Sequence, residues 1–105
     1  MAASKGVVLC SANSTNAATT PVYWPGGFAC LMISATVFPT TCFLQVQNND
    51  GTWINMAPAT VTSSPTTISA NSGYGYNLPA GQVRMNLTGG TCTALTAVLS
   101  SVAFD

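Results

Sequence analysis

The side chains able to do chemistry are few. Beyond hydroxyls and phenols the chain carries four cysteines (Cys10, Cys30, Cys42 and Cys92), two carboxylates (Asp50 and Asp105), two cations (Lys5 and Arg84) and no histidine. Thiols in Cys-x-x-Cys pairs, or joined by histidines, would point to zinc, because a tetrahedral site needs its ligands in close pairs. Here 19, 11 and 49 residues separate successive cysteines, so the spacing supports no metal centre, and nothing else in the chain implies a cofactor. The expectation is thiols that act as small buried hydrophobes. Cys30 and Cys42 flank one expected hairpin, which leaves a cross-strand disulfide as the alternative. General acid–base catalysis needs a titratable group tuned near the working pH, usually histidine or a partnered carboxylate. Asp50 stands in the turn sequence Asn48-Asn49-Asp50-Gly51 and Asp105 is the last residue given. Catalysis is therefore not expected.

The same count bears on partners. Charged residues make up 4% of the 105, against about 25% in ordinary domains. Nucleic-acid binding draws its affinity from lysine and arginine neutralising phosphates, and two cations make no basic face. Hydrophobic residues are 48%, the opposite of a disordered composition. A formal net charge of zero removes self-repulsion and favours association. Those numbers describe a folded chain that works inside an assembly. A membrane span is not expected, because Pro21, Pro25, Gly26, Gly27 and Pro39 interrupt the long uncharged stretch before it reaches about 20 apolar residues. The run Gly6-Val7-Val8-Leu9-Cys10 is shorter than the apolar segment of a signal peptide, about 7–15 residues, so the expectation is a chain made in the cytoplasm and used without export. On that reading the sequons Asn13-Ser14-Thr15 and Asn86-Leu87-Thr88 are coincidental.

The elements that must position these residues are strands. In Cys42–Gln47 the set Cys42, Leu44, Val46 alternates with Phe43, Gln45, Gln47, and in Gln82–Thr88 the set Val83, Met85, Leu87 alternates with polar neighbours, the period of half-buried strands. From Phe28 to Val37 both sets are apolar at first: Ala29, Leu31 and Ile33 on one face, Phe28, Cys30 and Met32 on the other. Such a strand is central or lies at an interface. Asn48-Asn49-Asp50-Gly51 and Leu78-Pro79-Ala80-Gly81 are turn sequences. The expected strands are Lys5–Ser11, Phe28–Val37, Cys42–Gln47, Thr52–Met56, Thr66–Ala70, Tyr74–Leu78, Gln82–Thr88 and Thr93–Ala103. In the last, Leu95, Val98, Leu99 and Val102 also fit a helical stripe, but its Thr, Val and Ser content favours a strand. The fold expected is all-β: one antiparallel β-sandwich of about eight short strands over residues 1–105, jelly-roll or immunoglobulin-like in topology, with an irregular N-terminal arm over 12–27.

Three stretches carry a resemblance: Leu44-Gln45-Val46-Gln47-Asn48-Asn49-Asp50-Gly51-Thr52-Trp53-Ile54, then Tyr76-Asn77-Leu78-Pro79-Ala80-Gly81-Gln82-Val83-Arg84, then Thr88-Gly89-Gly90-Thr91. Together they resemble small bacteriophage virion proteins, which serve as capsid decoration (cement) proteins or as head and tail fibre modules. The resemblance covers about residues 42–103 and rests on turn chemistry. It implies a β-sandwich that forms a homotrimer on the capsid surface, with the major capsid protein and copies of itself as partners and the virion as its location.

Such a role needs contact area and no catalysis. Interfaces are enriched in aromatic residues and arginine and poor in charge at their centre, so the contact candidates are Tyr23, Trp24, Trp53, Tyr74, Tyr76 and Arg84. By alternation Trp53 and Arg84 point outward. Each has a structural alternative: Trp24 as a plug at one end of the sandwich, Trp53 as a cap on its hairpin, Arg84 as a charge guarding an edge strand, Tyr74 and Tyr76 as an aromatic pair within the fold. A fibre or tail adaptor, or a carbohydrate-binding sandwich with aromatic platforms, are the other functions open to such a chain.

Overall fold

Alternating apolar residues leave the longer strands with one face to bury, and two sheets pressed together bury those faces; the short segment Trp53–Asn55 is the exception, with Ile54 43% exposed. A computed structural model of the chain describes residues 6–58 and 67–101. Its strands are β1 (Gly6–Asn13), β2 (Val22–Trp24), β3 (Gly27–Ser34), β4 (Thr41–Gln47), β5 (Trp53–Asn55), β6 (Ser72–Leu78), β7 (Gly81–Thr88) and β8 (Leu95–Ser101). They form two antiparallel four-stranded sheets, ordered β1-β8-β3-β6 and β2-β7-β4-β5. The pairs β1·β8, β2·β7, β3·β6 and β4·β5 are those of a single long hairpin, β1 to β4 against β5 to β8, rolled up so that β3·β8 and β4·β7 join its turns. That wiring is the jelly roll. The immunoglobulin alternative groups its strands differently, with the first two side by side in one sheet, and the order excludes it here.

Between the sheets the inward residues of every long strand meet. Leu31 and Ile33 of β3, Leu44 and Val46 of β4, Val83, Met85 and Leu87 of β7, and Leu95 and Leu99 of β8 form one buried cluster with Leu9, Tyr76 and Trp24. In β8 it is Leu95, Ala97 and Leu99 that point inward. The period is therefore two, and the helical spacing of Val98 with Leu95 is incidental.

Two segments differ from the sequence expectation. Residues 12–27, expected to be irregular, contain β2, which pairs with β7 through Val22↔Val83, Tyr23↔Gln82 and Trp24↔Gly81. Pro21 and Pro25 bracket a strand of three residues, too short for alternation to register. Conversely the Thr66–Ala70 segment makes no strand over its described part, Thr67–Ala70. It docks on β4 by single bonds, Ile68 N–H donating to Cys42 C=O at 2.9 Å and Cys42 N–H donating to Thr67 Oγ1 at 2.7 Å. β3 ends at Ser34, and Val37 reaches only an isolated bridge to Thr93. Lys5, Thr66, Val102, Ala103 and Asp105, named above, lie outside the described residues.

The turns do what their residues dictate. At the β4–β5 hairpin Asn48 N–H donates to Thr52 C=O at 2.7 Å, Thr52 N–H donates to Asp50 Oδ1 at 2.9 Å, and Gly51 takes φ 90°, a conformation glycine adopts without strain. This turn hydrogen bond also holds the Asp50 carboxyl below its ordinary pKa. The β2–β3 and β6–β7 connections instead carry the chain from one sheet to the other, and they touch: a Cβ on Gly26 would lie 3.2 Å from Ala80 N. Trp24 fills the interior beneath this double corner.

Candidate interaction surfaces

The thiols come first. Cys42 and Cys92 are buried, Cys10 and Cys30 half-buried, and all four are free. Burial pushes the Cys42 thiol up to about 12, with Cys10 and Cys92 adding to the shift, and raises Cys10 and Cys92 as well. A thiol held neutral in this way is a poor nucleophile. Cys30 and Cys42 belong to different sheets, Cys30 on an outer face and Cys42 in the core, so the hairpin that would have brought them together does not exist. Among the described residues no three His, Cys, Asp or Glu side chains are grouped so as to hold a metal ion.

Raised acidic groups fix the sign of the pH response. Cys42 moves from 9.0 to about 12 and Tyr76, also chiefly by burial, from 10.0 to about 12. Their neutral forms are favoured by folding, so stability is whole below the unfolded values and is lost as pH rises from about 9 towards 12. Denaturant midpoints measured from neutral to alkaline pH are expected to hold level and then fall above pH 9, and Cys42→Ala is expected to flatten the first part of that fall. A midpoint unchanged up to pH 11 would contradict it.

What remains is surface, and the sandwich has two outer faces. On the sheet β2-β7-β4-β5 the outward set is amides and aromatics around one cation. Arg84 stands opposite Gln45, and Gln45 opposite Asn55. The Arg84 guanidinium lies over the Trp53 ring, 4.0 Å from its centroid, and its Nε–H donates to Gln45 Oε1 at 2.8 Å. Gln45 Nε2 in turn donates to Asn55 Oδ1 at 2.8 Å. Covered by these neighbours, Gln45 is only 7% exposed, with both ends of its amide satisfied. Tyr23, opposite Gln82 on the same face, is 60% exposed.

On the sheet β1-β8-β3-β6 the outer face carries an apolar row, flanked by Ser34, Thr96, Ser100 and Asn77. Val8 of β1 faces Val98 of β8, and Val98 faces Met32 of β3, which faces Gly73 of β6. This row crosses all four strands, with Val8 55% and Met32 56% exposed. Beside it Cys30 Sγ lies 3.8 Å from Met32 Sδ. Phe28, 43% exposed, leans its ring across Gly75, where a Cβ would come within 2.7 Å of Cζ; the glycine is what lets the ring lie flat. At one end the same face opens into a hollow of about 430 Å³ lined by Met32, Gly73, Thr96 and Val98 among others.

The six contact candidates therefore divide. Tyr23, Trp53 and Arg84 share one outer face. Trp24 and Tyr76 are corrections: both are fully buried in the core, Trp24 as the plug at the sheet corner. Tyr74 is half-buried on the inner side of β6 and packs against the core. The glycines of β6 face outward and the tyrosines inward, an assignment that parity alone leaves open. Val8, Phe28, Met32 and Val98 are not among the contact candidates, although the doubly apolar start of β3 marks Phe28 and Met32 as belonging to a central or interface strand.

The class defined by this fold is the jelly-roll β-sandwich. Comparison with protein-family models, with curated proteins and with solved structures finds no match.

Proposed function

We propose that the protein is a structural virion component without catalytic activity: a capsid decoration protein. On this reading it is made in the host cytoplasm, assembles as a homotrimer and binds the outer surface of the major capsid protein, bridging neighbouring subunits. The observation that carries the reading is the outer face of β1-β8-β3-β6, where Val8, Met32 and Phe28 stand exposed around a half-buried Val98 with no charge among them. Contiguous apolar area of this kind marks an interaction site. A formal net charge of zero supports it, since nothing keeps such chains apart. The resemblance of the turn sequences to phage virion proteins gives the partner, and jelly rolls are common in viral capsid proteins.

We assign the apolar face to self-association. Met32→Lys places a charge at the centre of the exposed row, where a buried unpaired ammonium is strongly disfavoured. Sedimentation is expected to give a trimer for the native chain and a folded monomer for the variant; a native monomer at micromolar concentration would refute the oligomer. Gel densitometry of purified virions tests the role: hundreds of copies per particle fit decoration, and a handful fits a fibre or tail adaptor. One second reading has its own observation. Trp53, Tyr23, Arg84 and the amides of Gln45 and Asn55 share a face, the equipment of a carbohydrate-binding surface, and jelly rolls also serve as lectins. Glycan-array binding with no binding to capsids would favour it.

A further inference from the structure

We propose that Arg84 is the receptor for a protein carboxylate, an aspartate or glutamate side chain of the capsid subunit, and that the outer face of β2-β7-β4-β5 is the surface that docks on the shell. The inference rests on the decoration reading and names the chemistry of its partner. Three observations lead to it.

Among the described residues Arg84 has no anionic partner. Of the two carboxylates in the sequence, Asp50 is engaged by Thr52 N–H in the β4–β5 turn and Asp105 lies outside the described residues. Among the described residues the guanidinium makes one hydrogen bond, from Nε to Gln45, and one ring contact, with Trp53. Arginine carries five N–H donors in a rigid fork, so those on the two η nitrogens are left to recognise something else. A half-buried cation with no counter-charge among the described residues is complementary to an anion on another chain.

The group is also held in place before any partner arrives. The Trp53 ring supports it from one side at 4.0 Å, and Gln45 fixes its Nε edge while Asn55 fixes Gln45. Immobilising a long side chain on binding is one of the costs of association, and here most of that ordering is already done. A planar, oriented guanidinium is matched by a planar carboxylate through two parallel hydrogen bonds.

The surroundings favour a protein source. Nucleic-acid phosphates call for several cations along a face, and this face has one. Gln82 and Asn55 around Arg84, with the exposed ring of Tyr23, match the polar groups and apolar stems of a protein surface. Arginine and aromatic residues are the usual anchors of such interfaces.

The test uses decoration-free shells of the virus that encodes the chain and measures binding by co-sedimentation, with melting curves as the folding control. Arg84→Ala is expected to weaken binding about thirtyfold or more, the scale of a lost anchor. Arg84→Lys keeps the charge and loses the fork, and is expected to weaken it about tenfold while melting as the native protein does. Converting surface carboxylates of the shells to amides with carbodiimide and glycinamide is expected to bring the native protein down to the level of Arg84→Ala. If the native chain binds shells and both Arg84 variants bind equally well, the carboxylate receptor is wrong and decoration stands. If the native chain binds no shells, decoration itself fails. Tight binding to a polyuronate, lost in Arg84→Ala, with amidated shells still bound normally, would place the carboxylate on a sugar and overturn the protein source.

Discussion

Trp24→Ala is expected to remove a large share of the protein's stability. Truncating a large buried aromatic typically costs about 3–5 kcal/mol, and domains of this size are stable by only about 5–15 kcal/mol in all. Trp24 is fully buried at the corner where the β2–β3 and β6–β7 connections cross between sheets, so its loss empties the space that holds both crossings. Collapse around the cavity is restricted, because Gly26 and Ala80 are already in contact above it. Trp24→Phe separates two contributions. The indole Nε1–H is buried and has no hydrogen-bond partner among the described residues, and leaving a buried donor unpaired costs about 1–3 kcal/mol. Phenylalanine removes that donor while keeping most of the ring, so it is expected to destabilise far less than alanine. Chemical denaturation of both variants gives the comparison. A Trp24→Ala protein that unfolds at the native midpoint would take this residue out of the core and return it to the surface.

Leu87→Ala is the second large effect, expected at about 2–5 kcal/mol. Leu87 is fully buried and stands opposite Cys42 on β4, in the layer between the sheets. Its counterpart is Met32→Thr, a change of similar chemical size on an outer face, expected to alter the stability of the isolated protomer by no more than about 0.5 kcal/mol. The comparison measures the two faces of the sandwich against each other. It is made in dilute solution, because self-association through Met32 would add its own term. Equal losses from the two substitutions would mean that the outer face of β3 is packed within the protomer.

The inner half of this architecture was legible because period-two alternation is a strong physical signal wherever one side of a strand is polar. β4 and β7 have mainly polar outer sets, Gln45 and Gln47 beside Phe43 on β4 and Arg84 and Asn86 on β7, and their boundaries were read to within a residue. β2 escaped because three residues between prolines carry no period, and with it went the position of Trp24. Composition around Pro25-Gly26-Gly27 reads as loop, but only Pro25 and Gly26 are loop: Trp24 ends one strand and Gly27 begins the next. β6 gave its parity but not its polarity, since tyrosine suits either side of a sheet, and Tyr76 turned inward. For the surfaces, alternation put Arg84 and Trp53 outward, but their contact runs diagonally across β4 and depends on a register that no single strand reveals. The apolar outer face was half visible in Phe28, Cys30 and Met32. Val8 and Val98 complete it only when β1 and β8 are known to be neighbours.

The rolled-hairpin wiring also sets a timetable for folding. Its one local pairing is β4 with β5, through a tight turn, whereas β1 waits for β8, joining Gly6 to Ser100. Closing loops of that length before their contacts form is entropically unfavourable, so chains dominated by distant pairings fold in about milliseconds to seconds, orders of magnitude more slowly than helical bundles. A hairpin at β4–β5 is thus the natural starting point, with pairing spreading outward to the termini. During synthesis β1 and β3 leave the ribosome long before their shared neighbour β8 exists. For that interval the apolar residues of both strands have no lasting partner within the chain, and a cell making many copies at once must keep nascent chains from finding one another first.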